Sequence, residues 1–151
     1  MEYPPLVKYD SAAKYRDHFE KVYCRNPLLT FDGIQVRFRK RDFNHCFFES
    51  VESKDDTFSR ERAERLDWIK AAIEDSSSKL RLGWDKKKKR YDRKRRVAIV
   101  MGNYIVVISI TSGLEADFCT AFLADTKPRK GQNFSTLELI LMGPEWIQSG
   151  A

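Results

Sequence analysis

The sequence predicts an α+β fold in which N-terminal helices pack on a mainly antiparallel, meandering β-sheet as a single domain. Apolar residues at helical spacing occupy much of the first half of the chain, and strongly apolar segments separated by tight-turn residues follow from about residue 95. Helices followed by a run of antiparallel strands are typical of the α+β class. A length of 151 residues with 42% hydrophobic residues is sufficient for one buried core.

The N-terminal part is expected to form an irregular arm and one helix. The first nine residues contain two prolines and show no regular periodicity. Asp10 or Ser11 can cap a helix over Ala12–Cys24, where apolar side chains recur every three or four residues. We therefore describe the chain as an arm and helix, residues 1–30, followed by the main region, residues 31–151, within one compact domain.

A strand and a longer helix are expected in the middle of the chain. Residues 34–39 alternate between apolar and polar or basic side chains, which predicts a strand with one apolar and one basic face. Residues Phe43–Ser50 fit either a short helix or a turn followed by a strand. The clearest helix begins at Asp55–Thr57 and runs to about Glu74, because apolar residues recur along it at helical spacing.

A meander of strands and a last helix are expected in the second half. A short strand over Lys79–Trp84 is interrupted by a glycine, and tight turns are expected at Gly102-Asn103 and Ser112-Gly113. A polar loop and a helix over Phe134–Met142 follow. The expected meander strands are Arg95–Met101, Tyr104–Thr111 and Glu115–Ala124.

The positive charge of the chain is concentrated in one segment, which we call the basic run, Lys86–Arg96. It holds nine basic residues and one acid, whereas the whole chain has a net charge of +6, so the remainder is slightly acidic. Lysine and arginine displace counterions from phosphates, and Tyr91 could stack on an unpaired base, so the run favours a nucleic-acid partner. The alternative is a solvated loop or an address signal. The candidate binding residues are Lys88, Lys89, Arg90, Tyr91, Arg93, Lys94, Arg95 and Arg96.

Several other classes of protein are disfavoured. No segment has the 18–20 consecutive apolar residues that cross a bilayer, and the N-terminus lacks the pattern of a signal peptide. The chain has three cysteines in no metal-binding spacing, so we expect reduced thiols, a cytoplasmic location and neither a structural zinc nor a cofactor.

Two groups of residues are candidates for chemistry on a phosphodiester. An imidazole is a suitable general acid or base, and His45, if its segment is helical, shares a face with Glu49. Arg62 and Arg65 are three residues apart and would project together to stabilise phosphate charge. Alternatively, His45 is a structural residue among aromatics, and the two arginines belong to a solvated helix face.

Two residues of the predicted sheet are weaker candidates. Thr120 lies between Phe118 and Phe122, which are expected to share its face of the strand, and its hydroxyl could bind a phosphate. Tyr104 begins the central strand, where its phenol could donate to an oxyanion. Each could equally be an ordinary part of the sheet.

The order of several short motifs resembles that of a known superfamily. These motifs are FNHCFFES, RAERLDWI, the basic run leading into VAIVMGNYIVVISI, DFCTAF, and a terminal Pro144-Glu145-Trp146. In this order they resemble the metal-independent endoribonucleases of the barnase–EndoU–colicin–RelE superfamily, particularly its phage-associated branch. The resemblance covers roughly residues 34–146.

The resemblance implies cleavage of RNA, such as tRNA, through a 2′,3′-cyclic phosphate. It implies that His45 is the base or acid, that Arg62 holds the phosphate and that Thr120 positions the scissile group. Tyr104 or Glu49 would support them, and the basic run would bind flanking backbone. A toxin or phage effector restrained by an inhibitory or immunity protein is the corresponding biological setting.

Three hypotheses follow from the sequence. The first is an endoribonuclease. The second is a non-catalytic module that binds RNA or DNA through the basic run. The third is a protein-interaction domain in which the run binds an acidic partner.

Overall fold

Five helices are present in the part of the chain that the structure describes. The computed structural model describes the backbone of residues 3–85 and 88–146, and their side chains except those of residues 84–85 and 92–95. The first and last helices begin at the side chains of Ser11 and Ser135, which accept backbone N–H groups as N-caps. The helices are α1 (Ala12–Tyr23), α2 (Asp42–Phe47), α3 (Arg60–Ala63), α4 (Leu66–Glu74) and α5 (Thr136–Met142).

The strands form a mixed, mostly antiparallel six-stranded sheet and a separate two-stranded ribbon, which confirms the α+β prediction. The strands are β1 (Leu28–Leu29), β2 (Gln35–Arg37), β3 (Phe48–Glu49), β4 (Thr57–Phe58), β5 (Lys79–Asp85), β6 (Arg90–Met101), β7 (Tyr104–Ser112) and β8 (Glu115–Leu123). The order of the large sheet is β1-β2-β8-β7-β6-β5, and the ribbon pairs β3 with β4. Within the described residues, β2 and β8 are parallel and the other neighbouring strands are antiparallel.

The sheet carries a core on each face. The larger core packs α1, α2 and α4 against one face through buried aromatic and aliphatic side chains such as Phe19, Phe47 and Ile73. The smaller core lies under α5 and includes Ile105 and Ile140. The arm and helix, described from residue 3 to residue 30, therefore belong to the same folded body as the sheet.

The helix predicted from Asp55–Thr57 to Glu74 is wrong in its first part. Thr57 and Phe58 form β4 and pair with β3 instead. The helix begins after Ser59, whose hydroxyl accepts the backbone N–H of Arg62, and it is interrupted before α4. At the interruption the backbone N–H of Arg65 bonds to the carbonyl of Arg62, a tighter turn than an α-helix makes.

Strand β6 starts at Arg90, five residues before the predicted start. Its pairing with β5 shifts between Leu82, opposite Val97, and Gly83, opposite Asp92, so residues 93–96 have no partner on β5. A side chain at Gly83 would meet the Arg96 Cβ at 2.7 Å, which explains why a residue without a Cβ stands at the shift.

A register shift in β8 overturns the predicted grouping of its side chains. Val107 pairs with Thr120 but Ile108 pairs with Phe118, so Cys119 has no partner on β7. As a result Phe118 belongs to the larger core, whereas Phe122 packs on the smaller core of the opposite face.

Two further properties bear on the class of the protein. All three cysteines are free thiols. None of the helices in the described residues combines the length and apolar character needed to cross a lipid bilayer.

Candidate functional site

An open pocket of about 330 Å³ lies where α3 and the start of α4 meet the end of β8. We call it the arginine pocket, because three guanidinium groups and three carboxylates line it. Tyr104, Ser59 and Thr136 add hydroxyl groups to its wall. The charged lining residues are Glu49, Glu61, Arg62, Arg65, Asp125 and Arg129.

The pocket forms where β8 lacks a neighbouring strand. Strand β2 pairs only with residues 115–117 of β8, so the outer edge of the second half of β8 is not covered by a strand. Helix α2 approaches there instead, and the Cys46 thiol donates to the carbonyl oxygen of Ala121 at 3.6 Å. The ribbon and α3 then bring Glu49 and Arg62 to the same edge, as residues of the pocket lining.

Arg62 is partly fixed in this position. Its Nε lies 3.7 Å from Oε1 of Glu49, and its Nη1 donates to the carbonyl oxygen of Cys46 at 3.5 Å. Both contacts are long, and both side chains remain partly exposed. The guanidinium therefore keeps donor capacity for a ligand in the pocket.

Arg65 has a buried polar atom without a partner. Its Nη1 donates to the backbone carbonyl of Glu61 at 2.7 Å, and its guanidinium lies 5.1 Å from the ring centroid of Trp68. Its Nε is buried and makes no hydrogen bond to any of the described residues. A buried donor left unpaired costs about 1–3 kcal/mol, so an acceptor supplied by a ligand would be favoured there.

Tyr104 contributes a protonated phenol to the pocket. Its ring is buried, and burial raises the pKa of its phenol well above the ordinary value. The hydroxyl donates to the carbonyl oxygen of Arg65 at 3.5 Å, a long bond that a better acceptor could replace. The prediction that Tyr104 begins a central strand is confirmed.

Trp68 links Arg65 and Tyr104 to the N-terminal arm. Its ring packs edge-on against Tyr104 at 5.4 Å between centroids. On its other side it stacks on Tyr3 at 4.3 Å, and its Nε1 donates to the carbonyl of Pro4 at 2.7 Å. The arm therefore supports two side chains of the pocket through one indole ring.

Arg129 is a pocket residue that sequence reasoning missed. It lies in the loop after β8, and its Nε donates to Oδ2 of Asp125 at 3.0 Å. Glu61 and Thr136 were missed as well. A usable signal was present, because residues 127–130 contain three cations in four positions.

His45 lies apart from the arginine pocket. Its side chain is 57% exposed, its Nδ1 is 3.8 Å from Oδ2 of Asp55, and it is not among the described residues that line the pocket. Helix α2 ends at Phe47 and Glu49 is in β3, so the predicted helical face shared by His45 and Glu49 does not exist.

The other histidine, His18, joins three elements of the fold. Its Nδ1 is 2.8 Å from the Tyr9 hydroxyl, and its Nε2 is 2.8 Å from Oδ1 of Asp67. It ties α1 to the arm and to α4, which is a structural role.

Thr120 does not line the pocket either. Burial raises the pKa of the Cys46 thiol to about 12, while hydrogen bonds to the Ala121 carbonyl and the Thr120 side chain act in the opposite direction. The Thr120 side chain therefore lies beside a buried thiol under α2. Its assignment as a phosphate-positioning group stays a prediction.

The basic run lies at the other end of the sheet from the pocket. Met101 of β6 pairs with Tyr104 at the pocket end, and Arg96 is five residues further along, about 16 Å away at about 3.3 Å per residue. Lys88, Lys89 and Arg90 are exposed at the β5–β6 connection. Lys86 and Lys87, and the side chains of Arg93, Lys94 and Arg95, lie outside the described residues.

Tyr91 is docked on the protein, and its base-stacking role stays a prediction. Its hydroxyl donates to the carbonyl of Leu139, and its ring lies so close to Gly143 that a Cβ there would be 2.6 Å from Cε1. Burial raises the pKa of its phenol. Tyr91 therefore anchors the hairpin of β5 and β6 to α5.

Among the described residues, no three histidine, cysteine or carboxylate side chains lie close enough together to hold a metal ion.

Comparison with family models, curated proteins and solved structures finds no match to this chain.

Proposed function

We propose that this protein is an endoribonuclease that cleaves RNA in the arginine pocket. The observation that carries the proposal is the pairing, in one open pocket, of a carboxylate with guanidinium donors that are not fully used. Glu49 lies 3.7 Å from Arg62, and Arg65 Nε is buried without a partner among the described residues. A carboxylate beside guanidinium donors can serve as the base that RNA cleavage needs.

The proposed reaction assigns one role to each group. Glu49 accepts the proton of the ribose 2′-hydroxyl as the O2′–P bond forms. Arg62 and Arg65 donate to the non-bridging oxygens, where negative charge accumulates. The P–O5′ bond breaks and the leaving 5′-oxygen takes a proton from solvent, giving a 2′,3′-cyclic phosphate and a 5′-hydroxyl. Tyr104 stays protonated and donates to the same phosphate.

The proposed reaction is the one that the resemblance implies, but the residues that carry it out are different. The sequence motifs imply His45 as the base or acid and Thr120 as the positioning residue. The geometry supports Glu49 as the base and Arg65 as the residue that positions the phosphate. Both line the pocket, whereas His45 and Thr120 are not among its lining residues.

The test is cleavage of a labelled single-stranded RNA by purified protein in excess EDTA. We expect products that end in cyclic phosphate, identified by mass spectrometry. Removal of a general base costs about 10²–10⁴-fold, so Glu49→Gln should lower kcat/KM by at least about 100-fold. Glu52→Gln is the matched control, because Glu52 is an exposed acid in the neighbouring loop, and it should retain wild-type activity within about twofold.

Two results would overturn the proposal. One is cleavage of an oligonucleotide that lacks the 2′-hydroxyl at the scissile position, because the proposed nucleophile would be missing. The other is full activity of Glu49→Gln.

A second candidate is a non-catalytic RNA-binding protein, which the basic run favours. Lys88, Lys89 and Arg90 are exposed together at one end of the molecule. On this reading the same assay leaves the RNA intact, and the protein retards it on a native gel with an affinity that falls steeply with salt.

A further inference from the structure

The loop between β8 and α5 begins and ends at the arginine pocket. Asp125, Arg129 and Thr136 all line the pocket, so residues 126–135 form part of its rim. Residues 126–134 are all exposed. A ligand that extends out of the pocket on this side would meet the loop.

The loop has a net positive charge and a defined shape. It carries Lys127, Arg129 and Lys130, and no acid lies between residues 126 and 134. Arg129 is held at its base by Asp125, and the backbone N–H of Gln132 closes a turn on the Arg129 carbonyl at 2.9 Å. Gly131 adopts a φ of +84°, a conformation that favours glycine. Lys130 is therefore carried on this turn, and Lys127 lies just before it in the same loop beside the pocket.

Phe134 presents an aromatic ring at the end of the same loop. It is 42% exposed, although it directly precedes a helix. The backbone beside it is fixed by a capping box, in which Ser135 Oγ accepts the Glu138 N–H and Glu138 Oε1 accepts the Ser135 N–H, both at 3.1 Å. An exposed ring on a fixed backbone is suited to stacking on a flat ligand.

We propose that the loop Thr126–Phe134 binds single-stranded RNA next to the scissile phosphate. Lys127 and Lys130 contact flanking phosphates, and Phe134 stacks on an unpaired base. This inference rests on the proposed function of the pocket and extends it to a substrate class. Cations interleaved with an aromatic ring bind single strands, because the paired bases of a duplex do not offer a free face. The protein should therefore prefer single-stranded RNA to a duplex of the same sequence.

The experiment measures binding of a fluorescein-labelled RNA 12-mer, single-stranded or annealed, by anisotropy, with cleavage of the same RNA followed in parallel. Phe134→Leu keeps apolar bulk beside the helix but removes the aromatic face. It should weaken single-strand binding by about 5- to 100-fold, the range for loss of one stacked base. Lys127→Ala/Lys130→Ala should weaken binding and reduce the slope of log K against log salt by about 1.4.

The control is Lys14→Ala/Lys21→Ala, which removes the same charge from the exposed face of α1. It should leave affinity within about twofold. If the wild type cleaves RNA but the loop variants bind as the wild type does, or if duplex binds as well as single strand, the inference about the loop fails while the proposed function stands. If the wild type neither binds nor cleaves RNA, both fail.

Discussion

The arginine pocket and the basic run are two cationic regions with opposite structural character. In the pocket, Arg62 and Arg65 come from different helical segments and are oriented by backbone carbonyls and by the ring of Trp68. In the run, consecutive residues supply charge along one strand, and Lys88, Lys89 and Arg90 are exposed. The pocket has a few oriented cations beside carboxylates, whereas the basic run has many cations.

The difference teaches that charge density along a sequence and a site for chemistry are separate properties. A phosphate in a transition state needs donors in a fixed geometry, and orientation requires neighbours in the fold. A polyanion in the ground state needs only counterion displacement, which a run of exposed cations provides. Our proposal therefore places cleavage in the pocket and long-range attraction of RNA at the run.

The largest expected difference between the two regions is in the effect of Arg65→Ala on cleavage. Loss of the guanidinium should reduce kcat/KM by about 10²–10³-fold, the usual range for loss of an oriented donor. Arg90→Ala, which removes an exposed cation of the run, should reduce it less than about threefold. Equal losses of kcat/KM in the two variants would contradict the proposal that cleavage takes place in the pocket and not at the run. A thermal melt of each variant separates loss of activity from loss of fold.

The next effect is on stability, at Tyr91. Because its ring and hydroxyl are docked on α5, Tyr91→Ala should lower the free energy of unfolding by about 1–3 kcal/mol, less than a fully buried aromatic. Tyr91→Phe should cost about 1 kcal/mol, since only the hydrogen bond to Leu139 is lost. Urea denaturation measures both values. An unchanged midpoint with weakened RNA binding would instead support the base-stacking role of Tyr91.

Gly143→Ala tests the same anchor from the other side. An added Cβ would lie 2.6 Å from Tyr91 Cε1, so the tyrosine or the end of α5 must move. We expect destabilisation of about 1–3 kcal/mol by urea denaturation, as for an overpacked site. Gly113→Ala is an instructive comparison. Nothing lies within 4 Å of its Cβ position, and only the strain of its φ of +42° should appear.

A smaller effect is expected from the tip of the basic run. Lys88→Gln/Lys89→Asn removes two charges, and asparagine is chosen because Lys89 has a φ of +50°. RNA affinity should fall a few-fold, with a salt slope smaller by about 1.4, while kcat is unchanged. A large fall in kcat would mean that the run reaches the scissile phosphate.

The smallest effect is expected at His45. Its side chain is exposed and outside the pocket lining, so His45→Ala should retain cleavage activity within about twofold. Measured over pH 5–8, the rate should keep the wild-type profile. Complete loss of cleavage in this variant would return the catalytic role to the histidine.

The elements of the second half could be predicted from the sequence with good accuracy. The turns at Gly102 and Gly113, the interruption at Gly83 and the last helix all appear where local chemistry indicates them. Each depends on one or two residues and on a periodicity of two or of 3.6. No local pattern predicts the short β1 or the parallel β2–β8 pair, because the β2–β8 pairing joins residues that are distant in the sequence.

Some residues of the candidate site could likewise be predicted from the sequence, and others depend on the folded chain. Arg62 and Arg65 are three apart in the sequence, and that spacing alone predicted a shared direction, which their common place in the pocket supports. Glu49 was selected for its neighbour His45, yet it enters the pocket because the ribbon turns it toward Arg62. Arg129 arrives from a loop 64 positions after Arg65, and only the folded chain brings the two together.

By itself, the sequence determined the fold class, the positions of the turns and the concentration of positive charge in one run, because these depend on local composition and periodicity. Only the tertiary structure decided that Thr120 lies beside a buried thiol, that Tyr91 is an anchor and that the pocket lies at the uncovered edge of β8. A one-residue shift in β8 separates Phe118 from Phe122, and whether such a shift occurs depends on the packing of both faces of the sheet.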